Sequence, residues 1–378
     1  MHPGIVAAIA AVGVFATMLG ISYPLLALVL DRAGQSQSFI GLNAAMAPLG
    51  FFLSAPLIPW AATLINPVKL AIAATTATGF LMASFAAIAD PYWWFVLRFL
   101  LGAAINVLFV LSETWINQLA PAQKRGRIMG IYITVLSIGF ALGPLMVALV
   151  GTRGHVPFAI AFAGSLLAAP ILYWARNHLP PFPKGGVGQL WTFTYAAPVL
   201  LVIAGTVALF DQTTLSLVPL YALRTGFDET AAAIATGTLI AGNVVSQIPI
   251  GLASERIPRR TMIAALVAIV ILCSAMLPLL AGSVLFWPLL FIWGGTGYGI
   301  YTVALAELGA RFSGSKLLAG NAAFSMMWGI GGLIGPPSAG MMMDFTGPDG
   351  LPLTLALIFA ALAILIAFRP LVPGALRS

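Results

Sequence analysis

One carboxylate, Asp211, lies thirteen residues after Pro198 and eight before Pro219, inside an apolar stretch that holds no other charge. An acid at that depth in a lipid bilayer is costly, so it must face a partner, water or a ligand. The chemistry open to it is binding and release of a proton or another cation. Gln212, Thr213 and Thr214 follow directly and add polar groups near the same depth. Glu113 and Glu307 are further candidates, each within a turn or two of one end of its apolar run, where snorkelling or pairing with a neighbouring cation competes with a transport role. Arg98 is the only cation inside an apolar run, and it is a candidate to poise Asp211, to relay its proton or to pair with it.

These residues sit in a chain that lipid must surround. Of its 378 residues 61% are hydrophobic and 7% charged, and its mean hydropathy is +1.04. Such a composition cannot cover a water-soluble globule. The 39 glycines and 26 prolines fit membrane helices that pack closely and bend. Cutting at polar breaks gives twelve apolar runs of about 20 residues, the length that crosses the hydrocarbon core. They run from 4–30, through a second at 38–62 and a sixth at 156–176, to 351–369. The first is too long for a signal-peptide core and reads as a permanent span.

Basic residues are unequally shared between the two sets of loops. With the N-terminus inside, thirteen fall in cytoplasmic segments and only Arg32, Arg153 and Arg224 on the opposite side. The net charge of +7 is therefore topological and implies no nucleic-acid partner. The expectation is a multi-pass protein of the inner membrane with both termini cytoplasmic, and a monomer.

Residues 177–195 are rich in proline and glycine and read as a cytoplasmic linker between bundles at 1–176 and 196–378. Duplication supports the division. Gly139-Phe-Ala-Leu-Gly143-Pro144 in the fifth span is echoed by Gly331-Gly-Leu-Ile-Gly335-Pro336 in the eleventh. Glu113 and Glu307 precede those prolines by 31 and 29 residues.

On these features the chain resembles the major facilitator superfamily over essentially its whole length. The superfamily's loop signature looks like Gly251-Leu-Ala-Ser-Glu255-Arg256-Ile-Pro-Arg259-Arg260, with Glu255 in place of the usual aspartate and Pro258 in place of a glycine. The first-half copy, Trp60 to Lys69, has lost its acid and arginine. Gly139, Gly143 and Pro144 resemble the fifth-helix element of proton-driven exporters, and Arg98 with Gly102 matches their fourth-helix R-x-x-x-G. Ser112-Glu113-Thr-Trp115-Ile-Asn117 is similar to a branch of short bacterial facilitators. The resemblance implies an all-α membrane protein of twelve helices in two pseudo-symmetric six-helix bundles, cycling by rocking of the bundles about a central cavity. It also implies gating roles for the glycine–proline pairs and for Glu255, Arg256, Arg259 and Arg260.

In that fold helices one, four, seven and ten line the cavity, which makes Tyr23, Asn106, Phe210, Gln212, Trp293, Tyr298 and Tyr301 substrate-binding candidates. Asn243 and Gln247 on helix eight and Trp328 on helix eleven join them. Aromatic faces suit a flat or cationic substrate, although each ring has helix packing as its plainer use. Tyr92, Trp93, Trp94 and Trp191 read as interfacial anchors.

The function expected is proton-coupled transport of a small lipophilic, neutral or cationic molecule, with export by antiport favoured over import. Uptake of a nutrient or of copper is the alternative, since thioethers suit Cu(I) and methionines occur at 326–327 and 341–343. Adjacent residues of a helix diverge by about 100°, so such runs do not converge on one ion, and no metal site is assigned. A single cysteine, Cys273, excludes internal disulfides. No enzyme is expected, because the acids are dispersed and no phosphate-cradling loop occurs; no cofactor is implied. A receptor or scaffold would leave a midplane acid without a use.

Overall fold

The computed structural model describes residues 2–120, 125–181, 197–312 and 314–371. Most of the expected linker, together with Trp191, Lys124, Lys184 and Arg377, lies outside them, as does the Lys316 side chain. Among the described residues the regular structure is helical throughout. The helices are α1 Pro3–Arg32, α2 Gln37–Ser54, α3 Leu57–Leu64, α4 Pro67–Ala87, α5 Trp93–Leu119, α6 Arg125–Val150, α7 Val156–Leu166 and α8 Ala168–Trp174. After the linker come α9 Pro198–Arg224, α10 Glu229–Arg256, α11 Arg259–Leu280, α12 Phe286–Arg311, α13 Gly314–Thr346 and α14 Gly350–Phe368.

These account for twelve spans, of which two are broken. The second divides into α2 and α3 at Ala55 and Pro56, and the sixth into α7 and α8 at Leu167. Proline is the cause in both. Pro56 and Pro59 leave the carbonyls of Phe52 and Ala55 without their α-helical donors, and Pro170 does the same to Leu166. Helix starts follow local chemistry as well. Asn66 accepts a hydrogen bond from the Val68 amide at 2.9 Å and Asp228 one from the Ala231 amide at 2.7 Å, and Pro3, Pro67 and Pro198 stand at first helical positions.

Nine helices or helix pairs among the described residues are long and apolar enough to cross a membrane. Large apolar side chains stay exposed on helices of both units, including Leu145 and Leu149 on α6, Ile248 and Leu252 on α10, and Ile364 and Phe368 on α14. Lipid is the solvent that suits such surfaces.

The chain forms two compact units, residues 1–33 with 46–185, and residues 34–45 with 186–378. Helix α2 is shared, its first nine residues counting with the second unit. Inside each unit the same packing recurs. Helix α1 runs along α6 as α9 runs along α13, α4 packs on α5 and α7 as α11 packs on α12 and α14, and α10 lies along α12. Glycine permits the closest of these approaches. A Cβ on Gly143 would collide with the backbone of Gly20, and one on Gly139 with Ala16, so both serve the α1–α6 contact. Gly331 and Gly335 do the same on α13, against Ala208, Leu209 and Thr213 of α9. Gly50 and Gly102 join α2 to α5, while Gly242 and Gly294 join α10 to α12.

Candidate functional site

The second unit gathers its polar groups around Asp211. Helix α9 carries the acid in mid-span with most of its neighbours buried, yet Asp211 itself keeps part of its surface exposed. Tyr298, on α12, donates its hydroxyl to Oδ1 at 2.6 Å, and the Gln212 side-chain amide donates to Oδ2 at 2.8 Å. Both carboxylate oxygens are thereby engaged, one by a group of a different helix. A phenol can donate to a carboxylate or accept from a carboxylic acid. The Tyr298 contact therefore survives protonation of Asp211, and the hydroxyl can pass the proton on.

An aromatic wall stands behind this pair. The Phe210 ring meets Trp293, Tyr298 and Phe359 edge to face, with centroids 5.1, 5.6 and 5.8 Å apart. Gly297 leaves the room that the Phe210 ring fills. Phe210 and Trp293 are fully enclosed, and the indole of Trp293 donates to Ser274 Oγ at 3.1 Å. Phe210 packs against Tyr298, Trp293 backs Phe210, and both enclosed rings are closed to a ligand in this structure. Tyr301 and Trp328 are half-buried, with ring centroids 5.3 Å apart, and each remains partly exposed.

A polar ladder links α10 to α12. The Gln247 amide donates to Asn243 Oδ1 and the Thr302 hydroxyl donates to Gln247 Oε1, all three residues being half-buried. Thr302 was not foreseen. It follows Tyr298 by four residues, and that spacing places both on one helix face, which is the signal that would have found it.

In the first unit Arg98 is buried on α5, its guanidinium carbon 5.0 Å from the Tyr23 ring centroid. That position is a cation–π contact between α5 and α1. Asn106 donates to α2 twice, to Phe51 O at 3.1 Å and Ser54 Oγ at 2.9 Å, so its amide fastens two helices. Glu113 is exposed, near the hydrogen-bonded pair of Ser112 and Tyr132 at 3.0 Å. Buried Trp115 donates its indole N–H to Pro180 O at 3.2 Å. An apolar recess of about 350 Å³ between α3, α4 and α5 is walled mainly by alanines and holds no charged group.

Glu307 is buried at one end of the second unit. Its Oε2 meets Arg259 Nη1 and its Oε1 meets Arg311 Nε, each at 2.9 Å. Arg260 donates to the carbonyls of Ile366 at 2.7 Å and Ala367 at 2.8 Å, tying α11 to the end of α14. Glu255 and Arg256 are exposed beside them. The structure thus brings Asp211 together with Gln212 and Tyr298, and Glu307 together with the loop arginines, while Arg98 and Asp211 belong to different units. Among the described residues no three His, Cys, Asp or Glu side chains converge as a metal set.

Two glycine-packed units of six spans define a polytopic membrane protein built as paired helical bundles. Residues 6–315 match the sequence model of the Major Facilitator Superfamily, and the chain belongs to that family. An uncharacterized MFS-type transporter of Bacillus subtilis (strain 168), YfkF, is 24% identical over 360 residues, 91% of each chain. Among solved structures, a bacterial homolog of the human lysosomal transporter Spinster, in an inward-facing and unoccupied conformation, superposes with a TM-score of 0.80 at 16% identity, covering 97% of this chain and 95% of that one. A D-xylose-proton symporter superposes with a TM-score of 0.75 at 13% identity, covering 99% and 98%. At such identities the structural likeness shows the fold alone.

Proposed function

We propose that this transporter is proton-coupled, with Asp211 as the group that takes up and releases the proton and Tyr298 as its relay. The single observation that carries the reading is the arrangement at Asp211: a partly exposed acid in mid-span whose two oxygens are met by Tyr298 and Gln212. A coupling acid in mid-span needs a hydrogen-bond shell that tolerates both protonation states, and a phenol at one oxygen supplies it.

The substrate in this reading is a small lipophilic molecule, neutral or cationic. Tyr301 and Trp328 offer partly exposed aromatic rings and the Asn243–Gln247–Thr302 ladder offers hydrogen bonds, while Asp211 supplies the one negative charge among them. Exposure of Asp211 alternates between the two sides of the bilayer. Its proton affinity differs between those states, and that difference couples proton and substrate movement. Export by antiport is favoured by the resemblance of Gly139, Gly143 and Pro144 to exporter helices. On the bias of basic residues, the N-terminus in this reading lies on the cytoplasmic side of an inner membrane.

Reconstituted protein in liposomes with an interior pH dye tests this. A panel of lipophilic cations, neutral drugs and small metabolites should contain at least one compound that drives proton flux opposite to its own movement. That flux should vanish in Asp211→Asn. Substrate flux that persists in that variant with proton coupling unchanged overturns the assignment. Flux in the same direction as the proton replaces antiport with symport.

A further inference from the structure

At the end of the second unit where α10 gives way to α11, a cavity of about 520 Å³ is lined by Arg256, Arg259, Arg260 and Arg311, with Glu255, Glu307 and Pro370 on its walls. Four cations face two anions. The surplus is real in the hydrogen bonding too. Glu307 occupies only Nη1 of Arg259 and Nε of Arg311, and Arg260 spends Nε and Nη2 on the carbonyls of α14. Arg256 has no ion pair or hydrogen bond among the described residues, and Arg259 Nε is buried there without an acceptor. A buried guanidinium donor left open costs free energy until an acceptor reaches it. Helix α11 begins at the same place, behind Pro258, with no side chain capping its first turn, and so adds the positive end of its dipole.

We propose that this cavity binds a phosphate group, presented by the head group of an anionic phospholipid. Planar guanidinium forks match phosphate oxygens in pairs, and a tetrahedral phosphate can meet donors arriving from more than one plane, which the flat carboxylate of a peptide cannot. The surroundings favour a lipid as the source. Leu252 precedes Arg256 by four residues on the same face of α10 and is 58% exposed, and Phe368, two residues before Pro370, is 83% exposed. Those exposed apolar side chains, close in sequence to the lining residues, suit an acyl chain leaving the cavity. Basic recesses between transmembrane helices hold anionic head groups in this way. The site is independent of the proton-coupling reading.

Native mass spectrometry of the intact detergent-solubilised protein, titrated with phosphatidylglycerol, phosphatidylcholine or inorganic phosphate, tests it. Phosphatidylglycerol should be retained at one equivalent and raise the melting temperature, phosphatidylcholine should not, and added salt should weaken the effect. Arg256→Gln should lower retention about tenfold, and Arg256→Lys should restore part of it. Because Arg256 is exposed and unpaired, a folding defect is not expected, and the melting temperature without lipid checks this. Protection by inorganic phosphate equal to that by phosphatidylglycerol keeps the phosphate chemistry and assigns the site to a soluble ligand. Equal retention of both lipids, or retention indifferent to Arg256→Gln, overturns the proposal.

Discussion

The Tyr298 hydroxyl donates to Asp211 Oδ1 across 2.6 Å, joining two helices through residues 87 positions apart in the chain. Because the phenol can reverse its role and accept from a protonated acid, removing it separates coupling from mere binding. Tyr298→Phe should leave the protein folded and slow proton-coupled flux roughly ten- to a hundredfold, the scale of one hydrogen bond to a charged group at ~1.5–3 kcal/mol. Asp211→Asn should abolish coupling and flatten the dependence of substrate flux on pH. Flux measured in liposomes from pH 5.5 to 8.5 checks both, and an unaltered profile in either variant removes Tyr298 or Asp211 from the pathway.

Helix number was readable because lipid demands long apolar runs, and the intramembrane acid stood out because it interrupts one. The breaks at Pro56 and Pro170 were harder to see, since the apolar pattern continues across them and only the missing amide donors divide the helix. Partners were harder still. Nothing in the sequence joins Asn106 to Ser54, Arg98 to Tyr23 or Trp293 to Ser274, because such pairs depend on how helices rotate about their axes. For the same reason ring type alone did not separate enclosed Phe210 and Trp293 from partly exposed Tyr301 and Trp328.

The glycines at close helix contacts make a stability prediction with an internal control. Gly143→Ala and Gly242→Ala each place a methyl group inside the backbone of a neighbouring helix, at Gly20 and Phe291 respectively. Neither backbone can yield without moving a helix, so each should cost roughly 1–3 kcal/mol or more and lower the melting temperature in detergent. Gly309→Ala meets nothing within 4 Å and should be neutral or stabilise by about 0.5–1 kcal/mol, the cost of glycine in a helix. Equal losses from all three would mean that close helix approach is not what these glycines provide.

Asn106 offers a test between two uses of one amide. Its side chain donates to Phe51 O and Ser54 Oγ, fastening α5 to α2. Asn106→Leu should therefore lower stability by about 1–3 kcal/mol, the net worth of two part-buried hydrogen bonds, while apparent substrate affinity stays within about twofold at a temperature where the variant is folded. A tenfold loss of affinity with unchanged melting temperature would return Asn106 to the substrate site.

The start of α2 is held by an acid from α13, inside the same compact unit. Asp344 accepts from the backbone amides of Gln37 and Ser38, each at 2.8 Å, and from the Ser38 hydroxyl. A carboxylate at a helix N-terminus satisfies donors that the helix cannot, and it also meets the positive end of the dipole. Glycine lets the two helices come this close, since a Cβ on Gly340 would strike Gln37 O and one on Gly41 would strike Pro336 O. Asp344→Ala should free those amides by ~1 kcal/mol, raising their hydrogen-exchange rate roughly fivefold, with amides in the middle of α13 unchanged. Asp344→Asn, which keeps one acceptor oxygen, should fall between the variant and the parent. If exchange at Gln37 and Ser38 does not respond to either substitution, the carboxylate is not what orders the first turn of α2, and the glycine-mediated packing alone sets it.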